Sequence, residues 1–220
     1  MLIVTEPATD LQLLSEEELR VAAGLEPDDD SQDAALAVYG LQAAAALASA
    51  CGVAKAGYDE ASTPLRGQAP ATLLAETLIE TVRVKPGYQI QTLFLARWPA
   101  IEIISVSEDV TELTVDDWEV DIPIGSLTRI SGNSTLYWPA GRVIVEYVAG
   151  YDTVPADLKS YASQLVGIYY QNVADPNQKH VEIPGVITID RWVDEKSDSV
   201  MPDDIVCGLT RGGYRRPVLA

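Results

Sequence analysis

One histidine, two cysteines and a single phenylalanine occur in 220 residues. Cys51 and Cys207 are far apart and fall in no metal-binding or redox spacing. Two such thiols cannot form a disulfide framework, so a reducing cytoplasm is the simpler setting. His180 lies in a polar stretch after Asp175-Pro176 and reads as a solvated loop residue, because a triad needs a nucleophile and an orienting acid around its base. Phosphate-cradling glycine loops of either kind are missing. Asp28-Asp29-Asp30 and Asp116-Asp117 offer oxygens without the glycine and terminal glutamate of a calcium loop, so they read as solvated charge runs. No catalytic, cofactor-binding or metal-binding residue is assigned, and the expectation is a non-enzyme without cofactor.

Long apolar runs are missing too. MLIVTEPATD has no basic region and only a short apolar stretch, unlike a signal peptide. The Ala-rich segment Ala34–Ala50 is broken by Tyr39, Gly40 and Gln42, and is too short and small-sided for a membrane span. Asn133-Ser134-Thr135 fits a glycosylation acceptor only by chance if the chain is not secreted.

Positive charge is scarce. Fifteen Lys and Arg face thirty-three Asp and Glu, a formal charge of −18. Attraction to nucleic acid is disfavoured, since phosphate contacts need clustered cations. Such a surface would instead repel DNA passing beside it. The charge is also uneven. Residues 1–33 hold ten acids and one base, Arg20, whereas the last twelve residues carry Arg211, Arg215 and Arg216 and no acid. The segment Arg211-Gly212-Gly213-Tyr214-Arg215-Arg216 has one copy of an RGG-like pattern, and RNA-binding segments of that kind come in multiples. It fits better as a docking tail, with arginine forks, the Tyr214 anchor and apolar grip from Val218 and Leu219.

What is present is a strand–corner–helix unit at Gly141–Asn172. Val143, Val145 and Tyr147 alternate with Ile144, Glu146 and Val148, the period of a strand. Gly150 ends it. Val154-Pro155 opens a helix, for which proline's fixed φ is suited, and Asp157 meets the positive end of the helix dipole. Leu158, Tyr161, Ala162, Leu165, Ile168 and Tyr169 recur at helical spacing.

Upstream, Ser15-Glu16-Glu17-Glu18 has the form of a capping box, with Gly24 as the stop. A second helix is expected from Ser31 or Gln32 to Cys51, with a small-residue face. Residues 55–70 are loop chemistry. From Thr72 onward short strands follow: Leu78–Val84, Leu93–Leu95, Ile101–Val106 with its alternation slipping at Ile104, Trp118–Asp121, Leu127–Ile130 and Leu136–Trp138. Val186–Trp192 could add another, and Met201-Pro202-Asp203-Asp204 resembles a short helix start. The expected fold is α+β: a small helical bundle with an inserted, mostly antiparallel sheet and an extended C-terminal tail. The expected division is N-terminal helices in 1–58, a linker in 59–71, the β region in 72–151, a long helix in 152–175 packing on the first helices, and an extended segment with the tail in 176–220.

Taken in order, these features resemble the head–tail connector (adaptor, head-completion) proteins of tailed bacteriophages and gene transfer agents. The likeness lies in the acidic first helix and Ala-rich second helix, and in Pro99-Ala100-Ile101-Glu102-Ile103-Ile104-Ser105-Val106 as "P-x-x-x-I-x-S-V". It continues in Val143–Tyr151 with Val154-Pro155-Ala156-Asp157-Leu158-Lys159, and in Met201–Val206 with Leu209 and Tyr214-Arg215-Arg216. The resemblance implies a ring beneath the portal, usually dodecameric, in the virion neck, assembled in the host bacterial cytoplasm. Its partners would be the portal protein and a stopper or tail-completion protein, with DNA passing through unheld and no membrane. The docking tail would comprise Arg211, Tyr214, Arg215, Arg216, Val218 and Leu219. Two alternatives stand beside it: a stopper or tail-completion protein of the same neck, and a carbohydrate-binding or hydrolytic module with Trp98, Trp118 and Trp138 as a stacking platform. Three tryptophans on a sheet more often serve core and interface.

Overall fold

The computed structural model describes residues 1–58, 68–174, 180–183, 187–190 and 201–215. In chain order the elements are β1 (Leu2–Glu6), α1 (Glu16–Ala22), α2 (Asp33–Ala50), β2 (Ala56–Tyr58), β3 (Gln68–Ala69), β4 (Glu76–Val84), β5 (Thr92–Phe94), β6 (Ala100–Glu108) and β7 (Thr111–Glu112). Then come a 3₁₀ turn (Val115–Asp117), β8 (Trp118–Asp121), β9 (Ser126–Ser131), β10 (Ser134–Thr135), β11 (Gly141–Ala149), α3 (Ala156–Ala174), β12 (His180–Ile183), β13 (Ile187–Asp190) and α4 (Asp203–Arg211). They form two compact units, each assembled from separate stretches of chain: Met1–Leu11 with Gly52–Pro155, and Gln12–Cys51 with Ala156–Ala220.

The β unit is built on a seven-stranded sheet in the order β3-β2-β1-β4-β11-β6-β7. Every pairing is antiparallel except β1 with β2. Strand β11 is the spine, paired with β4 on one side and β6 on the other. Its alternation is real: Val143, Val145, Tyr147 and Ala149 are all buried. Strand β6 bends where its pattern slips. Glu146 opposes Ser105 and Tyr147 opposes Ile103, so Ile104 is left over as a bulge residue with its side chain half exposed. An extra residue on one strand loses its partner and turns its side chain out of phase. A smaller sheet runs β10-β9-β5, with β8 also on β9. It adds Leu93 and Leu127 to the core, where they join Trp138, Val106, Val145 and Leu78.

Several stretches differ from expectation here. Residues 1–58 hold the two expected helices, but Leu2–Glu6 is a strand, and Ala56–Tyr58 and Gln68–Ala69, within the stretch expected as loop, are strands as well. Leu136–Trp138 is not a regular strand. The pairing stops at Ser134–Thr135, and single bonds from Leu136 N–H to the Arg129 carbonyl and Trp138 N–H to the Ile90 carbonyl, each 2.8 Å, hold the rest. Pro139 follows, and proline has no N–H to continue a ladder. At the corner after β11, Gly150 has φ +121°, and a Cβ there would overlap the Leu74 backbone carbonyl. Only glycine makes that approach without strain.

The helical unit packs α1, α2 and α3 on one another. The capping box is present as read: Glu18 N–H donates to Ser15 Oγ, and Ser15 N–H donates to Glu18 Oε2 at 2.8 Å. In α2 the buried residues Leu36, Gly40, Ala43, Ala44, Leu47 and Ala48 fall on a narrow stripe. Among the described residues α2 alone is long and apolar enough to cross a membrane, and a buried bundle helix meets the same test. Leu158, Ala162, Leu165 and Val166 of α3 are buried as well.

The described part of 176–220 contains the β12–β13 hairpin, which includes the strand expected near Val186–Trp192, and the helix α4, whose start was expected at Met201–Asp204. Helix α4 forms because Asp203 and Asp204 lie in its first turn and Arg211 in its last, all three complementing the dipole. Met201, Ile205 and Leu209 are buried, a spacing of four that lays one stripe on the unit. It ends in a Schellman turn: Gly213 has φ +76°, Tyr214 N–H reaches the Leu209 carbonyl and Gly213 N–H reaches that of Thr210.

Candidate docking surfaces

Among the described residues no group of three or more His, Cys, Asp or Glu is placed to hold a metal ion. His180 begins β12, opposite Asp190. Cys51 is buried, which pushes its thiol up to about 11, and Cys207 is exposed; neither is bonded to the other. Trp138 is 1% exposed, and Trp98 and Trp118 are half-buried. Trp138 is therefore a core residue and not part of an open stacking platform.

The β unit does contain a polar cluster that the sequence did not announce. Arg97 is buried and donates from Nη1 to Glu76 Oε2 at 3.0 Å and from Nε to the Ala54 carbonyl at 2.7 Å. Glu80 Oε2 accepts the Tyr147 hydroxyl at 2.9 Å and the Ala96 N–H at 2.8 Å. The Tyr147 oxygen in turn accepts the Arg97 N–H at 3.2 Å. Burial raises the Glu76 carboxyl above its ordinary range, outweighing the nearby Arg97 charge. Burial also raises the Tyr147 hydroxyl, with the Glu80 charge adding to it. All four side chains are less than a tenth exposed. A substrate has no path to groups so covered, so the cluster is a clamp on β4, β11 and the Ala96–Arg97 segment. Arg97 Nη2 has no partner in it.

The helical unit carries an open groove of about 950 Å³ between α1 and α3. Val21, Ala22, Pro27 and Ile168 give it apolar walls, and Glu17, Ser163, Gln164 and Gln171 line it with polar groups. Val21 is 60% and Ile168 36% exposed, so the apolar wall faces water. Glu18 crosses from α1 to α3, its Oε1 accepting Lys159 Nζ at 2.7 Å. That bond and the Ser15 N–H hold the Glu18 carboxyl below the ordinary carboxylate range. Arg20 similarly ties α1 to Asp33, at 2.8 Å from Nε, and lowers that carboxyl.

Of the expected tail residues, Arg211 is exposed in the last turn of α4. Tyr214 is half-buried, its hydroxyl donating to Asp157 Oδ1 at 2.5 Å. Arg215 is exposed, and Arg216, Val218 and Leu219 lie outside the described residues. The structure thus brings Tyr214 against the start of α3 and leaves Arg211 and Arg215 facing water. Sequence reasoning missed the groove, because its lining comes from two helices more than a hundred residues apart in the chain.

No family model and no curated protein matches this chain. Solved structures do match. A chain from the neck of an empty gene transfer agent (GTA) particle, computed with C6 symmetry, superposes with a TM-score of 0.57 at 16% identity over 100% of this chain and 97% of that one. A chain from the virion of a native GTA particle gives 0.57 at 18%, again over 100% and 97%. A chain from the neck of a native GTA particle, computed with C12 symmetry, gives 0.53 at 16% over 99% and 97%. At such identities the shared property is the fold, and here it extends end to end.

Proposed function

We propose that this chain is a structural neck protein of a tailed particle: an adaptor subunit that forms a ring beneath the portal and joins head to tail. The observation that carries the reading is the fold match along the whole chain to chains of GTA particles, two of them from necks computed with C6 and C12 symmetry. The reading is of a non-enzymatic protein of the virion neck. A ring, dodecameric in the form the resemblance implies, would place repeated copies of an acidic surface around the channel. With a charge of −18 per copy, that wall would repel DNA phosphates and let the genome slide.

In this proposal the portal is met by the tail: Arg211 and Arg215 from the exposed end of α4, with Tyr214, Arg216, Val218 and Leu219. Arginine forks suit carboxylates on a partner, and an apolar end adds grip. The opposite face would receive a stopper or tail-completion protein. The test is capture of the protein by purified portal rings, with a truncation after Tyr214 that removes Arg215–Ala220 and spares the Schellman turn. Capture by the parent chain and its loss on truncation are expected. Undiminished capture of the truncated chain, with Arg211→Glu also silent, would remove the tail from this role.

A further inference from the structure

We propose that the groove between α1 and α3 receives the C-terminal segment Arg215–Ala220 of a second copy of this chain. Three observations converge. First, the groove's chemistry is apolar with acid at its edge: Val21, Pro27 and Ile168 are open to water and Glu17 is exposed beside them. Second, the chain has one segment of the complementary kind, Arg215-Arg216-Pro217-Val218-Leu219-Ala220, in which two cations precede an apolar end. The chain as a whole carries a formal charge of −18, which sets this doubly cationic, acid-free end apart. Third, the chain leaves α4 in the wrong direction to fill its own groove. Gly208 of α4 sits against the Tyr161 ring and Tyr214 against Asp157. The described chain therefore travels toward the N-terminus of α3, whereas the groove opens at Ser163–Gln171.

Length agrees with this. Eight residues of helix separate Ser163 from Gln171, about 12 Å at the α-helical rise. Six residues of extended chain reach at most about 20 Å, enough to run the length of the groove. A tail on one copy and a seat on another make a heterologous contact, the kind that closes into a ring when its rotation allows. The site needs no step of the neck proposal, but it extends it: the tail held by a neighbour would have to be released, or shared, when a portal is met.

The test uses a fluorescein-labelled peptide of Gly213–Ala220 and the chain truncated after Tyr214, read by fluorescence anisotropy. Saturable binding is expected, at least tenfold weaker with Ile168→Glu, weaker with Glu17→Lys, and falling as salt screens the arginine–glutamate attraction. Sedimentation of the full chain is expected to show concentration-dependent association that is lost on truncation. Peptide binding unchanged by Ile168→Glu and Glu17→Lys would overturn the proposal. So would a full chain that stays monomeric and refuses the peptide while the truncated chain accepts it, since the tail would then lie in its own groove. Portal capture by Ile168→Glu, which keeps the tail, reads the neck proposal separately.

Discussion

The Tyr214 hydroxyl donates to Asp157 Oδ1 at 2.5 Å, and the same oxygen accepts the Leu158 N–H at 3.0 Å. The residue after the Schellman turn of α4 is thereby fastened to the first turn of α3. Tyr214→Phe removes the hydroxyl and leaves the ring that packs against Gly212. An exposed hydrogen bond to a charged group contributes about 1 kcal/mol. Faster amide exchange from Thr210 to Tyr214 is expected, with little change in the rest of the helical unit. Exchange identical to the parent would show that the turn alone holds α4's end.

Arg97 is the next point of test. Its guanidinium is buried, and removing one member of a buried ion pair leaves the other uncompensated, at a cost of about 3–5 kcal/mol. Arg97→Met is expected to destabilise the protein by that order, measured by urea unfolding. Replacing the pair together, Arg97→Met with Glu76→Leu, is expected to recover a large part of the loss, because apolar pairs of similar volume often do as well. A double variant as unstable as the sum of the two singles would mean that the bonds from Arg97 Nε to the Ala54 carbonyl and from Nη1 to the Thr72 carbonyl at 3.2 Å, not the pair, are what matter.

How far these features could be read beforehand depends on whether the signal was local. Ser15 and Glu18 are three residues apart, and their reciprocal bonds appear as read. The slip at Ile104 is visible within six residues and is a bulge. Strand β1 escaped because Leu2–Val4 is too short to show a period; its identity comes from pairing with Ile79 and Leu78, over seventy residues on. Glu76 and Glu80 share the buried face of β4 with Leu78, where a pattern of hydrophobicity calls for apolar residues. Nothing nearby reveals that Arg97 and Tyr147 will arrive to partner them. The groove is hidden in the same way, since Val21 and Ile168 meet only in the folded unit. Helix α4 was half legible: Asp203 and Asp204 mark its start, but Gly208 inside it obscured its continuation to Arg211.

The raised carboxyl of Glu76 gives a pH dependence of definite sign. A folded-state value above the unfolded one means that the native protein holds the proton more tightly. The contribution to stability is then fully present below the unfolded value and is lost as pH rises through the folded one. Glu76→Gln cannot lose a proton, so its stability relative to the parent is expected to improve between pH 4 and pH 7. Urea midpoints followed by tryptophan fluorescence at those two values would show it. A flat difference would mean that the Arg97 charge offsets burial, and one of the opposite slope that it outweighs burial.

Gly150 gives the last prediction, at the corner between β11 and the segment leading to α3. Its φ of +121° lies where side chains are strained, and a Cβ would collide with the Leu74 carbonyl, a backbone group that cannot swing aside. Gly150 N–H also bonds the Pro99 carbonyl at 2.9 Å, and Tyr151 N–H bonds that of Leu73 at 2.8 Å. Relieving the clash by moving the corner would therefore break one bond or the other. Strain of this kind costs about 1–3 kcal/mol, and the lost bond adds about 1 kcal/mol. Gly150→Ala is expected to lower the urea midpoint accordingly and to speed exchange at Tyr151. Gly87, with φ +85° and open space around its Cβ position, is the control: Gly87→Ala carries the backbone strain without the collision, and should cost distinctly less. Equal losses at both positions would show that left-handed φ alone, and not the approach of Leu74, demands glycine at the corner.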